Sequence, residues 1–251
     1  MGTVVSFSVR EDKSTTTETD AALGRAQAQL RWVDDVFSTW KPESPVSRLR
    51  RGEIGLGAAP PEVAEVLALC RRARDASDGW FDPWALPGGV DPTGLVKGWA
   101  VERALDELKA AGVSAAMINA GGDIAVYGHP APGEPWRIGV RHPLDAGRII
   151  VTAEIDGPGA VATSGSSERG EHIVDPSTGE LAEALLAATV IGIDLTFADA
   201  LATALYASGG ALLERLSRLA GYHGFVVDAS GAVRASRGFP IHIRGLDAVP
   251  A

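Results

Sequence analysis

Runs of strand-like apolar segments, broken by a few helices and without regular β-α-β alternation, constrain this chain's fold more than any other feature of its sequence. Parallel strands need a crossover helix between each pair, whereas antiparallel strands are joined by short turns. The pattern therefore predicts an α+β fold, with mixed or antiparallel sheets and helices packed on them.

The first ten residues alternate Val5, Phe7 and Val9 with Val4, Ser6 and Ser8, which reads as a strand. Thr19 or Asp20 is placed to cap a helix to about Phe37, with Leu23, Ala26, Leu30, Val33 and Phe37 as its buried stripe. Ser38–Leu49 reads as a loop, and Pro60 and Pro61 open a helix to about Ala76. A further helix is expected to begin near Lys97 and stop at Gly112. VSAAMINAGGDIAVYG reads strand, glycine turn, strand, and Trp136–Arg141, Ile149–Ile155 and ATVIGI read as further strands. TFADALATALYASGG is a helix ended by Gly209 and Gly210, Leu212–Leu219 is helical, and Gly224–Ser236 forms a hairpin.

The 251 residues carry a net charge of −9 with scattered basic residues, which argues against a nucleic-acid groove. The single cysteine, Cys70, falls in the stripe Val63, Val66, Leu67, Cys70, Ala73 and reads as a small core residue. No stretch approaches the roughly 18–20 apolar residues that cross a bilayer; ALLAATVIGI suits a buried strand instead. MGTVVSFSVREDK lacks the basic start and apolar stretch of a signal peptide. The expected location is cytoplasmic, with an extracytoplasmic one open if an export segment has been removed. Glycine is 30 of 251 residues, about 12% against a typical ~7%, much of it in polar loops that bring backbone close to a ligand.

Four clusters carry candidate chemistry. In FDPWALPGGVDPTGLVKG, Lys97 opposes the positive end of a helix, which makes sense if an anion such as a phosphate lies in front of it. NAGGDIAVYG reads first as a tight hairpin. Ala160–Glu180 packs hydroxyls, glycines and His172 into what reads as a polar binding loop, without the GxSxG of a serine-hydrolase elbow. In TFADALATALYASG, Asp199 and Thr203 are neighbours on one helical face that is otherwise apolar; their hard oxygens suit Mg²⁺.

Taken in order, MGT, FSTWKPESPVSRL, FDP, VDPTGLVKGWAVERA, NAGGDIAVYG, WRIGVRHP, ATSG, HIVDPSTGE and ADALATAL resemble the FAD:protein FMN transferase (ApbE-like) family over nearly the whole chain. The resemblance implies one T-fold-related domain over residues 1–251. It implies a Mg²⁺-dependent enzyme that moves FMN from FAD to a Thr or Ser hydroxyl of an acceptor flavoprotein, read at a Ser/Thr-Gly motif, with release of AMP. It places the metal on the side chains of Asp199 and Thr203 and the carbonyls of Gly94 and Ala202. It places FAD on Met1, Trp40, Phe81, Asp82, Pro83, Asp91, Lys97 and Ile173, and makes His172 the general base. This chain departs from the family in having only Trp84–Gly89 between its FDP and VDP segments, and a short SSERGEH after ATSG. Two other readings of the same site stay open: an FAD pyrophosphatase giving FMN and AMP, and a flavin-binding module without catalysis.

Overall fold

A computed structural model describes residues 3–10, 16–86, 88–165 and 173–239. Seven strands form one sheet in the order β1-β2-β3-β6-β7-β8-β9: β1 (Val5–Arg10), β2 (Ala115–Ala120), β3 (Asp123–Tyr127), β6 (Gly159–Gly165), β7 (Leu185–Gly192), β8 (Tyr222–Asp228) and β9 (Val233–Ala235). Every neighbouring pair is antiparallel. β4 (Trp136–His142) and β5 (Asp145–Ile155) form a separate two-stranded ribbon. The α+β expectation is borne out.

Two apolar layers hold these parts together. On one face of the sheet lie α1 (Thr16–Phe37), α3 (Pro61–Ala76), α4 (Thr93–Ala110) and α5 (Leu195–Ala207), which share one core with Ile118, Val190 and Val226. That face is lined by Ala116, Ala120, Ala125, Ala160, Ala162 and Ala188, small enough for α4 and α5 to approach the strands closely. On the other face Ile138, Val140, Ile150 and Val151 of the ribbon pack on Val126, Val161, Ile191 and Phe225. Cys70 is fully buried in α3, as its stripe predicts. Among the described residues no helix is long and apolar enough to cross a membrane.

The structure corrects six boundaries. α1 is already helical at Thr16, so Thr19 and Asp20 lie inside it and do not cap it, and β5 reaches back from Ile149 to Asp145. α4 begins at Thr93, one turn before Lys97, because Asp91 accepts hydrogen bonds from Thr93 N (3.0 Å) and Thr93 Oγ1 (2.7 Å) and so fixes the entry to the helix. The stretch read as a loop after Ser38 contains α2 (Pro45–Arg50), capped by the Ser44 hydroxyl accepting from Ser47 N with Pro45 at its first turn. The start of the stretch read as a polar loop from Ala160 is strand β6, whose hydroxyl residues Thr163 and Ser164 stand at its end. The helix read over Leu212–Leu219 is the single turn α6 (Leu213–Leu216).

Candidate active site

Where α4, α5 and the β2–β3 turn meet beneath the ribbon, a cleft of about 820 Å³ opens, within the usual range for ligand pockets. Each wall is set by a local device. Ser38 Oγ accepts from the amides of Trp40 and Lys41 (both 3.3 Å), while Ser44 and Ser47 donate to Ser38 O. This pinned turn leaves the Trp40 ring 93% exposed at the rim. After α3, Phe81 N donates to Ser77 Oγ (3.0 Å) and Asp82 pairs with Arg74 (2.8 Å). Asp91 N donates to Pro83 O (2.9 Å), so the short connection between the two Asp-Pro segments closes on itself and keeps both on one wall. Asp91 also pairs with Arg50 at 2.8 Å.

The floor is a chain of charges drawn from three elements. Lys97 on α4 pairs with Asp123 on β3 and lies 3.7 Å from Asp199 Oδ1 on α5. Asp123 and Asp199 side chains are only 1% and 5% exposed, so each depends on fixed donors. Thr163 N donates to Asp123 Oδ1 (2.9 Å), and Gly98 N donates to Asp199 Oδ2 (3.1 Å). The second bond requires glycine: a Cβ on Gly98 would stand 2.2 Å from Leu195 O, so α4 and α5 touch backbone to backbone here. Glu102 reinforces the crossing by accepting from Leu195 N (2.7 Å) at the head of α5. Burial holds the Glu102 carboxyl above the usual range. Asp194 is the true cap of α5, accepting from Phe197 N (2.8 Å), which leaves Asp199 to face the cleft rather than serve the helix end.

Thr203, one turn beyond Asp199, places its hydroxyl 3.4 Å from Ser164 Oγ. Opposite, Gly94 is so close that a Cβ there would lie 3.4 Å from Thr203 Oγ1 and 3.1 Å from the Phe81 ring. Asp199, Thr203, Gly94 and Ser164 all line the cleft, and their hard oxygens are a donor set that suits Mg²⁺ rather than a soft metal. Ala202 lies within unbroken α5, fully buried and outside the cleft wall. Of the residues expected to touch FAD, Trp40, Phe81, Asp82, Pro83, Asp91, Lys97 and Ile173 all line the cleft; Met1, and His172 expected as the general base, lie outside the described residues.

Charge decides what this floor accepts. Around Lys97 one ammonium meets two buried carboxylates, and Asp82 and Asp91 each have an arginine, so among the described residues the Lys97–Asp123–Asp199 cluster has one more carboxylate than ammonium. The anion in front of Lys97 is in the first place a carboxylate of the protein.

Sequence reasoning missed Asp123, whose GGD setting reads as a turn and nothing more. It does form that turn: Gly121 and Gly122 both have positive φ, and Gly122 N donates to Asn119 Oδ1. The signal was a carboxylate placed at the first residue of an otherwise apolar strand. Arg141 and His142, also missed, sit in the cleft wall at a register shift of the ribbon, where a bulge re-aims side chains. His142 Nδ1 accepts from Leu144 N (3.2 Å), so in the neutral ring Nε2 bears the hydrogen and serves as a donor, not a base.

Comparison with known proteins sets this geometry in context. The sequence model of the ApbE family matches residues 1–88 and 84–226. A Vibrio cholerae FAD:protein FMN transferase is 33% identical over 129 residues, 48% of this chain and 39% of that protein. A Rhodobacter capsulatus protein of the same name is 35% identical over 129 residues, again 48% of this chain but 24% of its own length. The matched stretches therefore span well under half of these curated relatives. Among solved structures, an ApbE protein of Thermotoga maritima superposes with a TM-score of 0.82 at 24% identity, covering 95% of each chain. A flavin transferase ApbE of Vibrio cholerae gives 0.79 at 22% identity, again over 95% of each. At those identities the likeness is one of fold.

Proposed function

Because the chain belongs to the ApbE family, we propose that it is a Mg²⁺-dependent FAD:protein FMN transferase. The observation that carries the proposal is the Lys97 ammonium set beside Asp199, with Thr203 and Gly94 adjoining, on the floor of a dinucleotide-sized cleft. The acceptor is a flavoprotein presenting a Thr or Ser hydroxyl in a Ser/Thr-Gly motif.

In this reading the acceptor oxygen forms a bond to the FMN-side phosphorus of FAD, the bond from that phosphorus to the bridging oxygen breaks, and AMP leaves with the bridging oxygen. His172 takes the hydroxyl proton as the oxygen attacks. Phosphoryl transfer asks little covalent chemistry of the protein, so its residues act by positioning and by charge. Lys97 faces the diphosphate, and Trp40, exposed at the rim, offers a flat face to the flavin. Phe81, Asp82, Pro83, Asp91 and Ile173 hold the rest of the dinucleotide, joined by Met1. The Ala202 carbonyl, expected to join the metal ligands only if α5 departed from helix bonding, lies in an unbroken, fully buried stretch of that helix and is not part of the set. Asp199 and Thr203 would hold Mg²⁺ by side-chain oxygens and Gly94 by its carbonyl. Bound there, Mg²⁺ neutralises charge on the phosphate oxygens and the departing AMP.

The test is incubation of the protein with FAD, Mg²⁺ and candidate acceptor domains. Mass spectrometry should show a gain of one FMN on a Thr or Ser, with AMP released in step. AMP released at the same rate with and without acceptor would instead identify a hydrolase, and FAD retained without cleavage a binding module.

A further inference from the structure

We infer that Lys97 shares Asp199 with the metal, so that Mg²⁺ and FAD each bind more readily when the other is present. The inference rests on the proposed metal site and concerns how this chain's own charges bear on it.

Both carboxylates beside Lys97 are fixed. Asp199 Oδ2 is held by Gly98 N at 3.1 Å, and Asp123 Oδ1 by Thr163 N at 2.9 Å. These donors are backbone amides of α4 and β6, which cannot follow a side chain that turns away. The ammonium is the movable member, a point charge on a flexible four-carbon stem. It sits between Asp123, which it touches, and Asp199 Oδ1 at 3.7 Å, with its side chain 17% exposed.

A divalent ion taken up by Asp199 comes within a few ångströms of this ammonium. Like charges at that separation repel strongly where water is scarce. Lys97 therefore weakens Mg²⁺ binding to the free protein, while Asp123 counters this by drawing the ammonium towards β3. A diphosphate in the cleft offers oxygens to both cations and removes the conflict. By linkage the benefit is mutual: FAD tightens the metal and the metal tightens FAD. The arrangement discourages Mg²⁺ from occupying the site before the dinucleotide arrives.

Calorimetric Mg²⁺ titration of the full chain, without FAD, separates the parts. Lys97→Met should bind Mg²⁺ about tenfold more tightly than the wild type, because a neighbouring positive charge is gone. Asp123→Asn should bind it more weakly, because the ammonium is then no longer drawn towards β3 and away from Asp199. FAD added without acceptor should tighten Mg²⁺ in the wild type and have far less effect in Lys97→Met. The opposite signs of the two variants distinguish this coupling from a general loss of fold, which circular dichroism checks independently. Equal Mg²⁺ affinity in wild type, Lys97→Met and Asp123→Asn would overturn the coupling and leave the metal site standing. No Mg²⁺ uptake by the wild type, with Asp199→Asn indistinguishable from it in the presence of FAD, would overturn the metal site itself.

Discussion

The ammonium of Lys97 lies 3.7 Å from Asp199 Oδ1 although the two residues belong to different helices, and Gly98, next to Lys97, donates its amide to the other oxygen of the same carboxylate. One turn edge of α4 therefore fixes Asp199 from both sides. On the proposed function, Asp199→Ala should lower AMP release by about 100-fold or more, the scale of losing a preorganised charge partner at a transferring phosphoryl group. EDTA should do the same to the wild type, with activity restored by Mg²⁺. AMP release assayed with each preparation checks both.

His172 and His142 should behave differently. His172→Ala should reduce transfer by about 100- to 10,000-fold, the usual contribution of a general base, and leave FAD affinity near that of the wild type. His142→Ala should retain the acid limb of the pH–rate profile, since its Nδ1 is engaged by Leu144 N and its Nε2 carries the hydrogen. Rates measured across pH for both variants make the comparison.

Gly98→Ala should destabilise the fold by about 3 kcal/mol, the upper end for overpacking, because the new methyl would meet a backbone carbonyl and not a side chain that can move. Urea unfolding of the variant measures the loss. Gly52→Ala is a useful contrast: nothing lies within 4 Å of its Cβ, and any cost there comes from a φ of 72°.

Glu102 links the two helices and gives stability a pH dependence. Burial raises its folded-state pKa above the ordinary 4.5, so the folded protein holds this proton more tightly than the unfolded chain. Its contribution is fully present below pH 4.5 and is lost as pH climbs through the raised folded value. Glu102→Gln keeps an oxygen for Leu195 N without the charge. It should therefore gain stability relative to the wild type as pH rises through that window. Glu102→Ala should lose about 1 kcal/mol with the hydrogen bond. Thermal unfolding of all three proteins from pH 4 to 8 reads the difference.

Cys70 should be chemically silent in the native state. Burial pushes its thiol up to about 12, so at pH 8 almost no thiolate is present and little of it is reachable. A disulfide reagent should label the protein only in denaturant; rapid labelling of the folded chain would show that α3 opens.

Local pattern explains which elements could be read in advance. The stripe Val63, Val66, Leu67, Cys70, Ala73 and the Pro61 start define α3 almost to the residue, and Gly209 ends α5 with φ 58°. α2 also had a local signal, Ser44 followed by Pro45, submerged in a stretch dense with turn formers. The polar end of β6 resembled a loop because Thr163 and Ser164 turn hydroxyls towards the cleft and towards Thr189 and Thr203. Lys97 was conspicuous by its conflict with a helix start, but its partner Asp123 was not. That pairing depends on β3 being laid beside β6 and under α4, a non-local arrangement that no window of sequence contains. Arg50 beside Asp91 is another of the same kind.

The most direct test of the whole account is a crystal structure of the protein with FAD and Mg²⁺. It should show Mg²⁺ at about 2.0–2.1 Å from Asp199 and Thr203 oxygens, the spacing that this ion requires. The diphosphate should lie between that ion and Lys97, with the flavin ring at Trp40. A dinucleotide bound with its diphosphate away from both Lys97 and Asp199 would contradict it.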